Sequence, residues 1–155
     1  MATTGRTQPI QMTHTQVFLC ASIPATHDAA GFVALTFTEI AQKSILSISG
    51  PFGGKRNVSK DNIIDGTINN FPGSVDSGSV KLQAYNWPGD AGHQLAKSMF
   101  NSSALGSIKI QKVDGEITYA TVHSVSQEEP AGDAEKRDLI NLEFPISGLV
   151  VKVFP

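Results

Sequence analysis

Cysteine is almost missing from this chain of 155 residues, in which Cys20 stands alone. A single thiol excludes an internal disulfide framework and any multi-cysteine zinc site, and it points to a reducing compartment. Charge is scarce too: 17% of residues are charged, below the roughly 25% usual for a soluble domain. Twelve Lys and Arg stand against fourteen Asp and Glu, a net charge of −2, and nowhere do the cations cluster. Tight binding of a phosphate backbone is disfavoured, because it needs concentrated cations to release counterions. A surface this poor in charge is expected to meet other protein. The apolar runs span only a handful of residues, far from the ~20 that cross a bilayer. Residues 1–15 lack the basic-then-apolar profile of a secretory signal. Neither a membrane anchor nor an export signal is expected.

The residue types that carry chemistry are just as thinly spread. His14, His27, His93 and His123 have no second ligand at a metal-binding spacing. The closest approach is Asp90 with His93, yet Asp90 is needed as a helix cap, and His93 reads as a solvated residue near a helix start. Cys20 sits between Leu19 and Ala21 in a strand-like run, with no cation nearby to lower its pKa, and reads as a buried, inert thiol. The run GPFGGKR at 50–56 lacks the GxxxxGK[ST] form of a phosphate-binding loop. Asp61, Asp65 and Asp76 would need a shared cleft to act as acid and base, and they read as turn and solvated-strand aspartates. No serine lies in a GxSxG elbow. The sequence supports no catalytic residue, no metal and no cofactor.

What is present is a succession of short strand patterns. Residues 1–14 cannot bury enough apolar area to fold by themselves and read as an extended arm. Residues 15–155 suit a single domain. Strands are expected at 16–23, 32–40, 44–49, 79–87, 107–113 and 116–126, and at 139–146 and 149–154 on either side of a turn at Ser147-Gly148. In 79–87 the alternation is clean, with Val80, Leu82 and Ala84 on one face and Lys81, Gln83, Tyr85 and Trp87 on the other. One helix is expected, capped by Asp90, with an apolar stripe of Leu95, Ala96, Met99 and Phe100, ending near 101–103. Asp114-Gly115 between two alternating runs signals a hairpin, read here as a two-residue turn with both positions at positive φ.

The stretch 51–78 differs from everything around it. It is dense in Gly, Asn, Asp and Ser, with a weak apolar element of Val58, Ile63, Ile64, Ile68 and Phe71 in the middle. A structureless loop of that length is improbable in a compact domain, so it is a strand pair with an exposed tip or a functional projection. The fold class is therefore mainly β: an antiparallel β-sandwich or barrel with one flanking α-helix and a long projecting loop.

This order of features resembles the tail tube (major tail) proteins of long-tailed bacteriophages, a family related in fold to the tube protein of type VI secretion. The resemblance rests on a strand run ending at Ile48-Ser49-Gly50, a Gly/Asn/Asp-rich segment with Ile64-Asp65-Gly66-Thr67, and Gly73 to Gly78 leading into the strand at 80–87. The helix with its DAGHQL start, the Asp114-Gly115 hairpin and a closing strand through Ile146-Ser147-Gly148 complete it. It implies a non-enzymatic structural protein of the virion tail, assembled in the host cytoplasm. Six copies would close into a ring, and stacked rings would form the conduit for genome ejection. Implied partners are further copies of the chain, a tape measure protein in the lumen, and tail tip and tail terminator proteins, with DNA passing through unbound. The likeness is nearest to the non-contractile, siphophage branch.

Within that reading, residues 51–78 and the arm carry ring-to-ring contact, with Phe52, Ile63, Ile64 and Phe71 as the contacting side chains. Strands at 45–49, 61–69 and 80–86 are expected to supply the sheet around the bore, with Asp61, Asp65 and Gln83 facing it. Two alternatives remain open. A type VI-like tube protein shares the fold, and a carbohydrate-binding β-sandwich would use Tyr85 and Trp87 as a stacking platform.

Overall fold

The computed structural model describes residues 11, 13–50, 55–130, 134 and 137–154. Phe52 and nearly all of the expected N-terminal arm lie outside the described residues. In chain order the elements are β1 (Gln16–Cys20), α1 (Ala29–Val33), β2 (Thr38–Ile40), β3 (Ile45–Ser49), β4 (Lys55–Asn62) and β5 (Ile68–Asp76). They continue with β6 (Ser79–Tyr85), α2 (Ala91–Ser102), β7 (Gly106–Gln111), β8 (Ile117–Val122), β9 (Ser126–Glu128) and β10 (Leu139–Val153). The main sheet runs β2-β1-β7-β8-β10-β6-β3 with β9 also on β10, and β4 and β5 form a separate two-stranded sheet. Mainly β structure with antiparallel pairing and one long helix is as the sequence predicts.

The main sheet curls because β10 serves both halves. Its residues 139–145 pair with β6 and its residues 146–153 with β8, with a register shift between Ser147 and Val151. The expected turn at Ser147-Gly148 is thus a bulge inside one strand: Gly148 takes φ 85°, and the extra residues bend the chain without reversing it. Bending brings the two halves face to face around Val17, Leu19, Ile40, Val80, Leu82, Ile108, Ile110, Val122, Leu142 and Phe144. In β6 the predicted alternation holds, with Val80, Leu82 and Ala84 inward.

Helix α2 closes one side of this core. Asp90 caps it, accepting from the His93 amide at 3.2 Å, and also accepts from the Ala41 amide at 3.1 Å, which ties the helix start to the end of β2. Gly92 is required there, since a Cβ would lie 2.5 Å from the Glu39 carbonyl oxygen and the Ile40 Cα. Ala96 and Met99 are buried and Leu95 packs against the core, but Phe100 points outward and His93 takes the fourth inward position. The expected solvated histidine is buried because the β2–β3 connection covers it.

A second correction concerns 32–40, where only Thr38–Ile40 is strand and Phe32 and Val33 belong to α1. Asp28 caps that helix by accepting from the Gly31 amide at 2.7 Å. The helix drops Phe32 onto Tyr119 of β8, stacked at 5.2 Å, with Phe37 at 6.0 Å from the same ring. Lys109 of β7 lies over Phe18 at 4.8 Å. These residues form a small aromatic cluster on the outer face of the β1-β7-β8 half, so that half is covered on both sides. The β7–β8 hairpin is present, but its turn differs from the expectation: Gly115 has φ 92° while Asp114 keeps negative φ. Lys112 N–H bonds to the Glu116 carbonyl at 2.9 Å, a three-residue loop with glycine in the left-handed position.

Candidate assembly surfaces

The segment singled out in the sequence is a projecting hairpin. Strands β4 and β5 pair from Lys55↔Asp76 to Asn62↔Ile68 and share no ladder with the main sheet. The turn follows from Asp65-Gly66. Gly66 takes φ 89°, and Asp65 accepts from the Thr67 amide at 3.0 Å and the Thr67 hydroxyl at 2.6 Å. Those two bonds, the hydroxyl first, hold the Asp65 carboxyl below its ordinary pKa. Every residue of β4 is exposed, and Val58, Ile63, Ile64, Ile68 and Phe71 all lie open to solvent. Register places Val58 opposite Pro72 on one face of the ribbon and Ser59 opposite Phe71 on the other. A lone two-stranded ribbon is marginal in water, and this one buries neither of its faces.

The second surface is the outer face of the β3-β6-β10-β9 half, where Phe100 of α2 and Val125 also line the groove that lies over the strands. Register builds two polar rows across it: Ser49–Lys81–Glu143–Ser126 and Ser47–Gln83–Asn141–Glu128. The groove measures about 830 Å³, so the face is concave there. One lysine and two glutamates share the rows with Ser, Gln and Asn, a surface too poor in cations to hold phosphates. Gln83 is therefore on this face, as its alternation predicts. Asp61 and Asp65 are not: they sit on the separate hairpin, because residues 61–69 form its turn and strand ends rather than a strand of the main sheet. Among the described residues the end strands of the sheet are β2 and β3, the latter with Leu46 exposed in a bulge, and β9 pairs only with β10.

One buried constellation brings together Ser44, His93 and Asp90. His93 Nε2 lies 3.0 Å from Ser44 Oγ, and Ser44 Oγ donates to the Ala41 carbonyl at 2.7 Å. The hydroxyl proton is thereby used, so the imidazole donates through Nε2 and the serine accepts. That is the reverse of a base activating a nucleophile. Both side chains are buried, and Asp90 serves the helix start rather than His93 Nδ1. Burial lowers the pKa of His93, with a smaller opposing effect from Asp90. The trio fastens α2 to the body. Among the described residues no group of His, Cys, Asp and Glu could hold a metal, and no helix is long and apolar enough to cross a membrane. Cys20 is buried, as expected. Of the candidate stacking pair, the Tyr85 ring carries the Arg137 guanidinium over it at 5.2 Å, and Trp87 lies beyond the end of β6.

No family model and no curated protein matches the chain. Solved structures do. The subunit in the SPP1 tail tube superimposes with a TM-score of 0.67 at 15% identity, over 95% of this chain and 80% of that one. The sheath/tube terminator of the PVC extracellular contractile injection system gives 0.67 at 14% identity, over 94% and 97%. A chain from the tail of an empty GTA particle gives 0.64 at 11%, over 95% and 99%. The chain has the tail-tube fold. The likeness spans nearly the whole chain and reaches tube and terminator components alike, including those of contractile machines.

Proposed function

We propose that this chain is the repeating structural subunit of a phage tail tube, without enzymatic activity. Six copies close into a ring and rings stack into a hollow conduit for genome ejection, within a virion tail assembled in the host cytoplasm. Tail tip, tail terminator and tape measure proteins are its partners besides itself, and the tail is of the non-contractile kind. The observation that carries this reading is the concave face of β3-β6-β10-β9, crossed by two polar rows, on a tail-tube fold. Such a face suits a bore in which DNA slides without being held: Gln83 lies at its centre, with Lys81, Asn141 and Glu143 beside it. At −2 per chain, a ring of six carries about −12 and repels phosphates. The edges β3 and β9 close the ring by pairing with neighbouring copies, which removes the aggregation hazard of an open sheet.

The hairpin and the arm 1–14 meet the next ring, with Ile63, Ile64, Phe71 and Phe52 as the contacting side chains. Asp61 and Asp65 travel with the hairpin and face the axial contact or the bore's rim. Negative-stain images of the purified protein test the reading: tubes with an open bore support it, and a monodisperse monomer at high concentration contradicts it. The fold is also that of a sheath/tube terminator and of a tube-terminating cap, so a second reading is a terminator. Single rings that never stack, even when seeded, decide for that one.

A further inference from the structure

The hairpin joins the body through a short, heavily bonded joint. Only Ser77 and Gly78 separate β5 from β6. Ser77 is buried, and its hydroxyl donates to the Gly148 carbonyl at 2.8 Å. Gly78, at φ 73°, accepts from the Ile146 amide at 2.8 Å, and its own amide donates to Asp76 Oδ1 at 2.8 Å. Of the two partners on the body, Gly148 lies inside the bulge of β10 and Ile146 just before it, still in register with Val122.

The same bulge is gripped from the outer surface. His27 Nε2 lies 2.7 Å from the Leu149 carbonyl oxygen. A carbonyl only accepts, so the ring carries its proton on Nε2, as both the neutral Nε2–H tautomer and the cation do. The ring also stands edge-on to Phe32 at 5.5 Å, and Phe32 is fully buried against Tyr119. Two successive carbonyls of one bulge thus hold two different parts of the chain: Gly148 holds the hairpin joint, and Leu149 holds the 21–37 strap.

We propose that the β10 bulge is a relay that sets the orientation of the hairpin, with Ser77 and His27 as positioning residues on its two sides. The extra residues of a bulge are left out of the ladder, so their carbonyls are free to shift, and a change in the strap's grip reaches the hairpin joint some fifty residues away in sequence. The proposal rests on the hairpin being a stacking element only for its consequence, since the relay itself is a property of the single subunit.

The test is amide exchange by NMR on the full-length protein, read at Ile146 and Gly78. His27→Phe keeps a ring against Phe32 and removes the donor, at an exposed position where folding is safe. Ser77→Ala removes the other grip. Each variant is expected to speed exchange at Ile146 and Gly78 about five-fold, the worth of one neutral hydrogen bond. The double variant should show less than the product of the two, as residues that share one element do. Amides of β7 and β8 should not change, which also reports that Ser77→Ala has folded. If His27→Phe alters only amides within 21–37 and leaves Ile146 and Gly78 unchanged, the relay is overturned. Tube formation by His27→Phe separates the two ideas: fast exchange at the joint with parental stacking keeps the relay and removes the hairpin from the stacking contact.

Discussion

Two hairpins in this molecule use the same turn and live in opposite surroundings. In β4–β5 the Ile63 amide bonds to the Thr67 carbonyl and the Gly66 amide to the Ile63 carbonyl, both at 2.9 Å. In β7–β8 Lys112 and Glu116 repeat the first bond at 2.9 Å, and Gly115 with Lys112 the second at 3.0 Å. Each turn has an aspartate accepting the amide two residues on, Asp65 from Thr67 and Asp114 from Glu116, and each has its glycine near φ 90°. The flanks differ. Strand β7 buries Ser107, Ile108 and Ile110 between β1 and β8, whereas β4 buries nothing. Turn chemistry decides that the chain reverses, and the side chains beside it decide whether the hairpin is at home in its own subunit. The β4–β5 hairpin is not, and in the proposed tube neighbouring copies supply its cover.

Core truncation should expose the contrast most strongly. Ile108→Ala is expected to cost about 3 kcal/mol in urea unfolding, the usual loss for a buried aliphatic side chain. Ile64→Ser, at a fully exposed tip, should leave the stability of the subunit within about 0.5 kcal/mol. Equal losses would mean that the hairpin is part of the cooperative core. The two glycines give a finer comparison. Gly115→Ala and Gly66→Ala each impose roughly 1 kcal/mol of left-handed strain. The first should lower the global unfolding midpoint, and the second should only speed exchange of the Ile63 amide.

Titration separates the regions again. Because burial lowers the pKa of His93, the unfolded chain takes up the proton more readily than the folded one. Stability is then full above the ordinary imidazole value of about 6.5 and falls as pH drops below it. A flat urea midpoint from neutral to mildly acid pH would contradict the buried, neutral imidazole, and His93→Gln should flatten the profile. Asp65 gives the smallest effect. Its lowered pKa means that the turn holds above the carboxylate range and loosens as pH falls through that lowered value. The chemical shift of the Thr67 amide should report this while the global midpoint stays unaffected by this group.

What the sequence made legible was local. The Asp90 cap, the alternation of Val80 to Tyr85 and the reversal at Asp114-Gly115 depend on neighbours in the chain, and all are present. The isolation of 51–78 was readable from its shortage of apolar residues. What escaped depends on distant partners. Phe32 belongs to a helix that sets it on Tyr119 at the outer face of β8, and His93 is buried because Ser44 and Ala41 arrive from the β2–β3 connection. Ser147-Gly148 bulges rather than turns because β6 and β8 claim successive halves of β10. The same blindness placed Asp61 and Asp65 on one sheet with Gln83: period-two alternation tells which side of a strand a residue takes, but not which sheet the strand joins.

Amide hydrogen exchange over residues 55–76, in the free subunit and in the assembled tube, tests the central claim most directly. A ribbon with both faces in water should exchange within minutes in the subunit, while Ile108 and Ile110 stay protected, and it should become strongly protected in the tube. Protection of 55–76 in the free subunit equal to that of β7–β8, or rapid exchange that persists in the tube, would contradict it.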